Sequence, residues 1–149
     1  MPYVVAFVIC ENALIETDNV LSAVRIVDTA TFGTDQVPPV GQSLVLSSLD
    51  MVLILKAGDA RGERTFRLRL ITPEPVEHYS ETWTHIFTAP PESGQSMRLR
   101  PVSIVWAGEG LYYFEVVAEN SVLARTPLHI KLAQAESEAG ESKPLKRPL

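Results

Sequence analysis

The residues able to do chemistry are few and scattered. The three histidines, His78, His85 and His129, stand in unrelated contexts, and no pair shows HxH or HExxH spacing. Cys10 is the single cysteine, so no intramolecular disulfide forms and a structural zinc site has no thiolate set to draw on. Its setting, "VVAFVIC", is apolar, which suits a buried inert thiol rather than a nucleophile, because reactive thiols need nearby positive charge or a helix start. There is no GxSxG elbow and no glycine-rich phosphate loop. Asp18, Asp28, Asp35, Asp50 and Asp59 are spread over turns, where aspartate is favoured anyway. The fragments "ETDN" and "FGTD" are the nearest approach to a loop calcium site. His85, in "WTHIF", shares a strand face with Trp83 and Phe87 and reads as a core or rim residue.

One charge pattern stands out. Arg67 and Arg69 project from one face of a strand, and Arg98 and Arg100 from one face of another. Neighbouring strands would place four guanidinium groups on one surface, suited to phosphate or acidic partners. The favoured alternative is an ordinary outer face with acids such as Glu81 or Glu115 opposite, giving weak cross-strand pairs.

The elements that must position these residues are strands. No long stripe of period 3.6 appears; short runs rich in Val, Ile, Leu, Thr, Tyr and Phe recur between turn residues. The expected strands are residues 3–11, 20–32, 44–57, 63–72, 79–88, 96–105, 111–118 and 122–132. The third begins irregularly at "SSLD", and Pro101 implies an edge or a bulge in the sixth. Eight strands without substantial helix predict an all-β fold, a single antiparallel β-sandwich (Ig-like or C2-like) over residues 1–132. The segment 133–149, "AQAESEAGESKPLKRPL", is poor in large apolar residues and reads as a disordered polar tail.

Alternation assigns the faces. Phe66, Leu68 and Leu70 point inward, as do Leu128 and Ile130, while Arg125, His129 and Lys131 point outward. In the closing hairpin Tyr112, Phe114 and Val116 share the core face, Gly110 allows a sharp entry, and the Tyr112 hydroxyl is placed for a tyrosine corner. Leu111, Tyr113 and Val117 then form an unexpectedly apolar outer face. "YVVAFVIC" and "MVLIL" are apolar on both faces, so each needs a cover, either a folded-over part of this chain or another subunit.

The segments "FVICENALIETDNVLSAVRIVDTAT" and "GEGLYYFEVVAENSVLARTPLHIKL" resemble those of a family of small bacterial all-β sandwich proteins of unknown function. The resemblance runs from residue 3 to residue 132 and centres on a closing G-x-Y-x-F-x-V strand. Arg25 stands near where a glycine is usual in that family, and Ala124 or Arg125 replaces a later one. The resemblance implies a fold and brings no reaction, cofactor or catalytic residue.

Composition bounds the rest. A chain of 149 residues with net charge −5 suits one domain with no global attraction to nucleic acid. No apolar stretch approaches the roughly 20 residues of a membrane-spanning helix, and the amino terminus lacks a basic leader segment, which makes the cytoplasm the expected setting. The expectation is a non-enzymatic protein-binding or assembly module, with no catalytic residue, metal or cofactor assigned. A protein partner or a second copy would use Leu111, Tyr113, Val117, Arg67, Arg69, Arg98 and Arg100. The alternative is a module taking an anionic lipid, a glycan or calcium at its loops.

Overall fold

The computed structural model describes residues 1–17 and 20–133. All regular structure among them is extended, apart from one 3₁₀ turn at Thr34–Gln36. Eleven strands form: β1 (Tyr3–Ile15), β2 (Leu21–Ile26), β3 (Thr29–Gly33), β4 (Ser43–Leu46), β5 (Asp50–Lys56), β6 (Gly62–Ile71), β7 (Glu77–Phe87), β8 (Gly94–Leu99), β9 (Val102–Val105), β10 (Gly110–Ala118) and β11 (Ser121–Ala133). They make a four-stranded sheet in the order β2-β1-β5-β8, a five-stranded sheet in the order β3-β11-β10-β6-β7, and a β4-β9 ribbon.

The excess over eight strands has one cause. Three expected strands each break and change sheets. The run from Leu21 to Gly33 leaves the four-stranded sheet at Val27 and enters the five-stranded one. The runs holding β4–β5 and β8–β9 pair along both halves, but break together at residues 47–49 and at Arg100–Pro101. Pro101 has no N–H to carry a ladder forward, and the four residues between Leu46 and Met51 stand opposite only two between Leu99 and Val102. The sheets are also not purely antiparallel: β3 pairs with β11 in parallel, Thr29 opposite His129 through Gly33 opposite Ala133.

The core lies between the sheets. Ile9, Met51, Leu53 and Leu55 face Phe66, Leu70, Tyr112, Phe114, Leu128 and Ile130, and the ribbon closes one end with Leu46 and Ile104. A fully buried side chain of this size contributes about 1.5–3 kcal/mol. Phe66, Leu68, Leu70, Tyr112, Phe114, Val116, Leu128 and Ile130 are buried as alternation requires, whereas of the other β11 residues whose alternation points inward Ala124 and Leu132 are only partly buried and Val122 is exposed. The tyrosine corner forms: the Tyr112 hydroxyl donates to the Gly108 carbonyl at 2.7 Å and accepts from the Ala107 N–H at 2.9 Å. Gly110 enters that strand at φ +145°, where a Cβ would also meet the Pro73 ring. Glu119 and Asn120 both have positive φ, which makes the β10–β11 connection a two-residue hairpin turn that follows the sheet twist. Arg25 likewise holds φ +57°, a conformation that explains why a glycine suits this position.

The strands that are apolar on both faces are covered within the chain only in part, since Tyr3 (50% exposed) and Val5 (56%) at the start of β1 stay open. On the outer side of the four-stranded sheet, Cys10 (0% exposed) and Val52 (4%) are buried in a small second cluster with Ala13. Val8, Ile54 and Leu21 of β2 pack against it. Burial pushes the Cys10 thiol pKa up, aided by the Asp50 carboxylate, so the thiol stays protonated and inert.

Ala133, expected as the first residue of the tail, is instead paired in β11, and residues 134–149 lie outside the described residues, as do Asp18 and Asn19 of "ETDN".

Candidate partner-binding face

The outer face of the five-stranded sheet is built by the residues of opposite parity to the core. β6 contributes Glu63, Thr65, Arg67 and Arg69, β10 contributes Leu111, Tyr113, Glu115 and Val117, and β11 contributes Arg125. Glu115 sits on the central strand, with Arg69 directly opposite on one side and Arg125 on the other. Its Oε1 accepts from Arg69 Nε at 2.8 Å and Nη2 at 2.6 Å; its Oε2 accepts from Arg125 Nε at 2.8 Å and Nη2 at 2.6 Å. Each guanidinium therefore grips one carboxylate oxygen with two nitrogens. Glu115 is 1% exposed. Burial pushes its pKa up, but hydrogen bonds from Arg125 and Arg69 outweigh that and hold the carboxyl below its ordinary value, so it is ionised at neutral pH.

Two tyrosines complete the arrangement. The Arg67 guanidinium lies 4.3 Å from the centre of the Tyr79 ring, and that of Arg125 lies 4.5 Å from the Tyr113 ring. Arg69 Nη1 also donates to the Tyr79 hydroxyl at 3.4 Å and meets Glu77 at 3.7 Å. The charges fix the rings and the rings flatten the charges against the sheet. Tyr79 (46%), Leu111 (41%) and the Arg125 side chain (54%) remain open to solvent.

Of the seven residues expected at a partner surface, five lie on this face and two do not. Arg98 and Arg100 belong to the opposite side of the molecule, because β8 is in the four-stranded sheet and the core separates it from β6. The four arginines form no common surface. Arg100 instead grips Asp50, Nε to Oδ1 at 2.8 Å and Nη2 to Oδ2 at 2.6 Å, while Asp50 accepts from the Ala13 N–H at 2.8 Å. Arg98 Nη1 donates to the Ala13 carbonyl at 3.0 Å. That cluster ties β1 to the place where β4–β5 and β8–β9 break, and it is structural. Val117 also fails as a contact residue. It has outer parity but is buried, flanked in register by Arg67 and Val122 beside a slip in the β10–β11 ladder. Of the acids named opposite the arginines, Glu115 meets Arg69, whereas Arg67 faces Thr82 and Glu81 opposes Leu68 on the core side.

Tyr79 and Arg125 were not singled out from the sequence. The signal was present in their outward parity, but not the register that brings each beside its partner.

The sheet edges are less suited to a partner than the face. β7 carries a register slip beside Ser80 and turns Glu81 toward a cleft of about 110 Å³ floored by Met51, Leu68 and Phe114. A bulge and an inward-pointing charge are devices that discourage strand addition. His85 sits edge-on to Phe87 with centroids 4.7 Å apart, the rim position expected of it. Among the described residues no group of three or more His, Cys, Asp or Glu is placed to hold a metal ion, and no helix is long and apolar enough to cross a membrane.

No protein-family model and no curated protein matches the chain. Among solved structures, an immunoglobulin-like protein from Pseudomonas aeruginosa aligns with 87% of this chain and 96% of its own, at 12% identity and a TM-score of 0.41. So loose a likeness transfers no residue and no role. What the fold and the face define by themselves is an all-β protein with an arginine–tyrosine surface organised around one buried glutamate.

Proposed function

We propose that this chain is a non-enzymatic protein-binding or assembly module of immunoglobulin-like layout, meeting a protein partner or a second copy through the outer face of its five-stranded sheet. The observation that carries the reading is the Arg69–Glu115–Arg125 clamp with Arg67 and Arg125 laid on Tyr79 and Tyr113. Arginine and tyrosine are the residues that dominate interface energetics, and holding them in place beforehand lowers the entropy lost on association. The cytoplasmic setting expected from the sequence belongs to the same proposal.

A photo-crosslinking amino acid at position 111, compared with one at the exposed Val45 of the ribbon, tests it in cells of the native host. A discrete protein adduct at 111, absent at 45, supports the reading. The same adducts at both positions, or none at 111, overturns it.

A further inference from the structure

We draw no further inference here: the strongest candidate, the arm where β1 and β2 run on together past Asp50, the last residue of β5 to pair with β1, with Leu14, Ile15, Val24 and Ile26 exposed, carries nothing because nothing in the structure shows what covers it.

Discussion

Replacing Glu115 by alanine removes one side chain and strands two. The carboxylate is almost wholly buried and receives four nitrogens from Arg69 and Arg125 at 2.6–2.8 Å. Removing one partner of a fully buried ion pair costs about 3–5 kcal/mol, because the charge left behind is uncompensated. Here the guanidiniums differ in their access to water. The Arg69 side chain is 17% exposed, whereas that of Arg125 can rehydrate. The loss is therefore set at about 3 kcal/mol, or roughly 6–12 °C in melting temperature for a domain of this size. Arg125→Ala leaves Oε2 of the buried carboxylate without its two donors but opens it to water, and is expected to cost about 1–2 kcal/mol, less than Glu115→Ala. Glu115→Gln keeps the shape and removes the charge. Because the folded carboxyl is held below its ordinary value of 4.5, its stabilisation is complete above that value and disappears as pH falls through the depressed one. The gap between wild type and Glu115→Gln should thus be full at pH 7 and close in acid. Urea unfolding followed by circular dichroism at several pH values reads all three variants. A Glu115→Ala cost under about 0.5 kcal/mol, an Arg125→Ala cost as large as that of Glu115→Ala, or a Gln gap independent of pH would refute the clamp.

Three further outcomes follow from the scaffold. Asp50→Ala should cost about 2 kcal/mol in denaturant unfolding, since it leaves the Ala13 N–H without its acceptor and releases Arg100, whose side chain is 46% exposed and so recovers part of the loss in water. Tyr112→Phe should cost about 1–3 kcal/mol in the same assay by orphaning the Ala107 N–H and the Gly108 carbonyl, and a neutral result would show the corner to be ornamental. Arg25→Gly should be tolerated in thermal melts, because glycine accepts φ +57° freely and the exposed pair with Glu11 is worth little; Arg25→Val should cost about 1–2 kcal/mol by forcing a β-branched residue into that conformation.

Much of the fold is legible where the cause is local. Alternation in "TFRLRLI" gives the inward set Phe66, Leu68 and Leu70, and a tyrosine two residues after Gly110 gives the corner. The sheet switches are not legible, because a strand that crosses from one sheet to the other keeps its extended backbone and its β-forming residues on both sides of the crossing. The same blindness grouped Arg98 and Arg100 with Arg67 and Arg69: identical spacing says that each pair shares a face, and nothing in it says which sheet the face belongs to. Glu115 was visible as an acid, but its burial between two arginines depends on the β6-β10-β11 register, which joins positions 46 and 10 residues away.

The strands that change sheets have a further consequence for how the molecule comes apart. Because the backbone of three runs passes from one layer into the other or into the ribbon, no layer is a separable piece of chain. Peeling the four-stranded sheet away would drag on β3 and the β4-β9 ribbon, and the parallel contact of β3 with β11 ties residue 29 to residue 129. Amide hydrogen exchange in the two layers is therefore expected to report a common opening free energy, with the protein behaving as one cooperative unit rather than as two stacked leaves.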